Sequence, residues 1–151
     1  MNKRGLIMGS VIEKLGISSE LAEKMITAAV KKAEEIQVPM VIAVVDESGV
    51  LKAFRRMDGA HLLSVDIAQN KAYTAVAFGM PTDKWYEFIK NDPPLLTGIV
   101  HTPRLTVFGG GYPIQVNGQV VGGIGVSGGH YSQDMECAKA GLDAALSVVS
   151  E

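Results

Sequence analysis

Three features of this chain have the residue types to do chemistry: a lysine on a face of small residues, three separated histidines, and a glycine-rich stretch containing a serine. Laid out at about 100° per residue, Ser64, Ala68, Lys71, Ala75 and Phe78 fall within roughly 40° of one line along a helix. Small side chains let such a helix approach a neighbour closely, so Lys71 either snorkels to an edge or sends its ammonium into a pocket to pair with an anion. That anion is a ligand carboxylate or a carboxylate of the chain such as Asp58, and a desolvated Lys71 is also a candidate base. His61 follows Asp58-Gly59-Ala60, His101 begins His-Thr-Pro-Arg, and His130 closes the glycine stretch. Each adjoins a predicted loop, a position that suits a surface or capping role, a proton carrier or an axial metal ligand. No two histidines have the spacing of a metal-binding pair, and Cys137 supplies no second ligand nearby, so a zinc cluster has no sequence support. Arg104, just after His101, can clamp a carboxylate in bidentate fashion. Lys71, His101 and Arg104 are thus the candidate catalytic groups.

The stretch Gly123-Ile-Gly125-Val-Ser-Gly128 has the G-x-G-x-x-G spacing that wraps a dinucleotide pyrophosphate. Such a fingerprint must open a β-α-β unit and be followed by an acidic residue about 20 positions on. Here a single helix follows, and Asp143 falls inside it. Two readings remain: a glycine-rich strand lying close to other elements, or an anion site at the helix start built from Gly128, Gly129 and the Ser127 hydroxyl. Ser127 also sits in a bare G-x-S-x-G pattern, but the partner order of a serine hydrolase is missing. Asp46, Glu47, Asp58, Asp66 and Asp134 show no diagnostic pairing.

The elements that must position these groups follow from periodicity. Residues 18–37 place Leu21, Met25, Ala28, Ala29, Ala33 and Ile36 on one stripe, with Ser18 as N-cap and Glu20 and Glu23 at the positive end of the helix dipole. The run after Pro39, the turn at Asp46-Glu-Ser-Gly49 and the run after it read as a β-hairpin. A helix from about His61 to Phe78 and a short one from Asp83 follow, the latter stopped by Pro93-Pro94. Leu105–Phe108 reads as a strand, and Asn117-Gly118 joins two more as a tight hairpin. A final helix from near Ser132 carries Met135, Ala138, Leu142, Ala145 and Val149 on one face. The order α-β-β-α-α-β-β-β-α predicts an α+β fold with an antiparallel sheet of about five strands flanked by helices.

With 151 residues, 47% of them hydrophobic, the chain reads as one domain spanning 1–151. A net charge of −2 with scattered basic residues gives no footprint for nucleic acid. No apolar run approaches the roughly 18 residues of a membrane span. The lone Cys137 excludes an internal disulfide, so the expected location is the cytoplasm.

Three stretches together resemble one known family: RMDGAHLLSVDIAQNKAYTAVAFGMPT, GGGYPIQVNGQVVGGIGVSGG and QDMECAKAGL. The chain from about Ser18 onward is similar to the GlcG and HbpS-like family, which includes the C-terminal domain of PduO-type proteins. The resemblance implies a profilin-like antiparallel sheet flanked by helices, homo-oligomers such as tetramers or octamers, and binding of haem or another tetrapyrrole in a pathway of the glycolate, glycerol or propanediol type. Its motif positions here are Asp58, Gly59, Ser64, Lys71 and Thr74, then Gly110, Pro113, Gly125, Ser127, Gly128 and Asp134. The first-helix histidine that ligates haem iron in some relatives has no counterpart between Ser18 and Gln37, which leaves His61, His101 or His130 as substitutes.

Three functions follow as alternatives. The first is an accessory protein that holds a small anionic ligand between the Lys71 helix and residues 122–129, contacting Asp58, Ser64, Lys71, Thr74, Gly110, Ser127, Gly128 and Gly129. The second is an enzyme acting on a small carboxylated or aldehyde metabolite, with His101 or Lys71 as base and Arg104 as clamp. The third is a ligand-free assembly module in which residues 1–17 form an oligomer arm.

Overall fold

The computed structural model describes residues 7–149. A small antiparallel hairpin, β1 (Ile7–Met8) and β2 (Val11–Ile12), precedes helix α1 (Ser19–Glu35). Strands β3 (Val41–Asp46) and β4 (Leu51–Arg56) lead into helix α2 (Leu63–Phe78) and two short helices, α3 (Trp85–Ile89) and α4 (Pro93–Gly98). Strands β5 (Gly111–Val116) and β6 (Gln119–Ser127) and the long helix α5 (Tyr131–Val149) complete the chain. The expected arm, residues 1–17, lies partly outside the described residues. Of its described part, Val11 and Ile12 are exposed.

The fold is α+β, with one four-stranded antiparallel sheet in the order β4-β3-β6-β5 rather than about five strands. The missing strand is Leu105–Phe108, whose residue types favour a strand but which has no ladder. The Thr106 N–H donates instead to the Thr74 hydroxyl on α2, at 3.0 Å, so this backbone is held by a side chain. The prolines at 93 and 94 also act differently from expectation. Asp92 caps α4 by accepting from the Leu95 N–H, and Pro93, which has no N–H to lose, begins that helix.

Local chemistry explains the remaining elements. Ser18 accepts from the Leu21 N–H at 3.0 Å and starts α1. Asp46 Oδ1 accepts from the N–H groups of Ser48 and Val50 and closes the β3–β4 turn. Asn117 and Gly118 have φ of 52° and 78°, the two positive values that a type I′ hairpin requires.

Alternation then assigns the sheet's faces. Ile42 and Val44 of β3 and Ile124 and Val126 of β6 join α1 and α5 in one apolar core. Val41, Ala43 and Val45 turn to the other face, where Ala68 and Ala72 of α2 cover them. The sheet therefore lies between two helical layers. The buried side of α5 is Asp134, Cys137, Ala138, Gly141 and Ala145, about one residue around from the predicted stripe, and Val149 is exposed.

Candidate functional site

Glycines fix how closely α2 sits on the sheet. On β6 they occupy 123 and 125, both on the α2 face, and a Cβ at Gly125 would collide with the Ala68 carbonyl oxygen and come within 2.5 Å of the Ala72 N. Gly128 is likewise backed by the Pro39 carbonyl, at 2.5 Å from where a Cβ would stand. The G-x-G-x-x-G spacing thus records close packing and not a pyrophosphate cradle.

That close approach buries Lys71 completely. Its ammonium donates to Asp134 Oδ2 at 2.7 Å and to the Val126 carbonyl at 2.9 Å, and it lies 4.9 Å from the centre of the Phe108 ring. Asp134 is itself buried, and its second oxygen accepts from the Gly129 N–H at 3.0 Å. One carboxylate therefore ties α2, α5 and the loop after β6 together. Desolvation pulls the Lys71 ammonium below its ordinary range, and the charge and hydrogen bond of Asp134 oppose that pull. Asp58, the partner suggested from sequence, is exposed in the turn after β4. Gly110, with φ of 124°, leaves room for the pair, since a Cβ there would stand 2.7 Å from both Lys71 Nζ and the Val126 oxygen.

Against this buried pair, with Asp134 among its lining, a groove of about 380 Å³ opens between the start of α2, the Phe108 loop and the start of α5. Its polar floor includes Ser64 and Ser127, whose buried hydroxyls are 3.1 Å apart, with Ser127 donating. Ile67, Phe108 and Tyr131 are among its apolar lining, and His61 and His130 also line it, as do Gly128 and Gly129. Of the anion site expected at the start of the last helix, Ser127, Gly128 and Gly129 line this groove, and most of the N–H groups around them are already used. The N–H groups of Gly129, His130, Ser132, Gln133 and Asp134 all have protein acceptors.

The remaining candidates stand elsewhere. Thr74 is buried and used in structure, its hydroxyl donating to the Arg104 carbonyl at 3.0 Å while accepting from Thr106. The Arg104 guanidinium stacks on Tyr73, 3.7 Å from its ring centre. His101 is exposed on a single 3₁₀ turn, Ile99–His101. Neither Arg104, His101 nor Lys71 lines the groove, so the three candidate catalytic groups do not meet there. Sequence reasoning missed the Lys71–Asp134 pairing, whose partners are 63 positions apart, and the walls Ile67, Phe108 and Tyr131. The small-residue face around Lys71 was the available signal for a buried partner.

A sheet between two helical layers, with a polar-floored groove where α2 and α5 begin, defines a small α+β protein with a lateral cleft. Residues 17–143 match the family described as haem degrading protein HbpS-like. The chain belongs to that HbpS-like family. It is 40% identical over 128 residues to an uncharacterised 15.0 kDa protein of the dhaT-dhaS intergenic region of Citrobacter freundii, spanning 84% of this chain and 90% of that one. Protein GlcG of Escherichia coli K12 is 39% identical over 114 residues, 76% of this chain and 83% of GlcG. Among solved structures, a PduOC:haem complex superposes with a TM-score of 0.79 at 34% identity, covering 86% of this chain and 95% of that one. Among the described residues no helix is long and apolar enough to cross a membrane.

Proposed function

We propose that the protein binds a planar, anionic ligand of the tetrapyrrole class, with haem as the leading case, in the groove between the starts of α2 and α5. The observation that carries this reading is the groove's two-sided chemistry. Its walls include large apolar side chains left partly in water, with Leu63 72%, Tyr131 48% and Phe108 42% exposed, while its floor is a hydrogen-bonded hydroxyl pair. Exposed apolar surface gathered around a concavity marks a binding site, and a volume of about 380 Å³ lies within the range of small-molecule pockets. The donor set also fits. Two imidazoles line the groove and can meet a metal or a carboxylate, and the apolar walls suit the faces of a macrocycle. The haem complex of PduOC and the description of the family support the same ligand class.

In this reading Phe108, Ile67 and Tyr131 exclude water from the ligand's faces, and Ser64 and Ser127 present hydroxyls at its edge. Lys71 has no direct contact with the ligand. With Asp134 it holds Gly129, and so the groove wall, in place. Bound haem would supply a redox-active iron, and the protein supplies position and shielding.

Titration of the purified protein with ferric haem, followed by absorption and native mass spectrometry, tests the proposal. The expected result is a saturable Soret shift and one haem per groove, lost in Phe108→Asp, whose substitution falls on a half-exposed wall residue. An unshifted Soret band at saturating haem would overturn it.

A further inference from the structure

The two histidines in the groove are not equivalent, and the structure assigns them different work. We infer that His61 is the axial ligand to the metal of a tetrapyrrole held in the groove, and that His130 donates a hydrogen bond to the ligand's anionic group. The inference rests on the binding function proposed above and says which residue does what.

His130 is committed to the start of α5. Its carbonyl accepts from the N–H groups of Gln133 and Asp134 at 2.8 and 3.0 Å, and its own N–H donates to Gln133 Oε1 at 3.0 Å. Its ring nitrogen Nδ1 accepts from the Ser132 backbone N–H at 3.2 Å and lies 2.8 Å from the Ser132 hydroxyl. A backbone N–H can only donate, so Nδ1 is the nitrogen with the lone pair and the proton of the neutral ring sits on Nε2. Packing on Tyr131, with ring centres 4.1 Å apart, fixes the plane of the imidazole. In that state Nε2 offers a hydrogen to an acceptor and no electron pair to a metal. Turning it into a ligand would require moving the proton to Nδ1 and breaking the bond from Ser132.

His61 is free of such commitments. Its side chain has no hydrogen bond or ion pair to any described residue, so either nitrogen is available. The backbone beneath it is anchored all the same. Ala60 is buried and its N–H donates to the Met57 carbonyl at 3.1 Å, and the His61 carbonyl accepts from the Ser64 N–H at 3.0 Å. An unbonded imidazole on a fixed backbone keeps a ring lone pair free for a metal in the groove. One imidazole suffices for a metal whose equatorial positions are already filled by a macrocycle. His101 lies outside the groove and takes no part.

Two measurements on the full chain test this. Long-range proton–nitrogen NMR correlation of the ligand-free protein is expected to show His130 with its proton on Nε2; a proton on Nδ1 would overturn the assignment whatever the protein binds. Electron paramagnetic resonance and absorption of the ferric haem complex are expected to lose the nitrogen-ligand signature in His61→Ala and recover it with added imidazole. His130→Ala is expected to keep that signature while weakening haem binding on the order of tenfold, the size of one lost charge-assisted hydrogen bond. An unchanged ligand signature in His61→Ala, with haem still bound, overturns the inference and leaves the proposed function standing. Failure of the wild-type chain to take up haem removes both. His61 is exposed, so its removal leaves the fold intact, which circular dichroism of the variant checks.

Discussion

The two faces of the sheet are packed by different means. On the α1 and α5 side, large apolar side chains such as Met25, Ile42, Ile114 and Ile124 interdigitate. On the α2 side the helix backbone rests on glycines of β6, and α2 buries only small or polar residues and one lysine, Ser64, Ala68, Lys71, Ala72, Thr74 and Ala75, with valines of β3 beneath it. Side-chain packing tolerates small changes of shape, because neighbouring rotamers adjust. A backbone laid on glycine has no such slack, and it excludes water from any polar group at the contact. The face with the least room thus holds the buried charge pair and the floor of the groove.

The largest effect expected from this contrast is at the pair. Lys71→Ala leaves Asp134 as an uncompensated buried carboxylate and should cost about 3–5 kcal/mol in urea unfolding. The double substitution Lys71→Met with Asp134→Leu should recover much of that loss, because neither charge is then stranded. A double variant as unstable as Lys71→Ala would show that the pair's bonds to Val126 and Gly129 matter more than its charge balance.

Next in size is a matched pair of core substitutions. Gly125→Ala adds one methyl where the Ala68 carbonyl stands and should cost about 1–3 kcal/mol by overpacking. Ile42→Val removes one methyl from the opposite face and should cost about 0.5–1.5 kcal/mol. Equal costs in denaturant unfolding would remove the distinction between the faces.

The smallest effect lies on the apolar face and depends on pH. Burial raises the Cys137 thiol from its ordinary 9.0 to about 12. Between those values the unfolded chain ionises this thiol and the native chain does not, so the unfolded state binds fewer protons and stability falls as pH rises. The slope from this group is at most about 1.4 kcal/mol per pH unit. Urea unfolding at pH 8 and pH 10 should show the decline in the wild type and a flatter profile in Cys137→Ala.

Local rules carried much of the fold from sequence. The stripe of α1 with its Ser18 cap, the turn closed by Asp46 and the Asn117-Gly118 hairpin each depend on residues within a few positions of one another. The same rules misread Leu105–Phe108, because its Thr106 N–H is taken by the hydroxyl of Thr74, 32 positions away, and not by a neighbouring strand. The site was readable in part. The small face around Lys71 and the serine in the glycine stretch mark residues that the fold gathers, yet no spacing tells that Lys71 meets Asp134 or that Ser64 meets Ser127. What the sequence determined by itself was most of the elements, the family to which they belong and the glycines that permit close approach. The chain's path decided which groups meet: it enclosed Lys71, left Arg104 and His101 outside the groove, and set His61 and His130 along it. Periodicity encodes which side of an element is buried, but contacts between distant elements depend on how the layers are stacked.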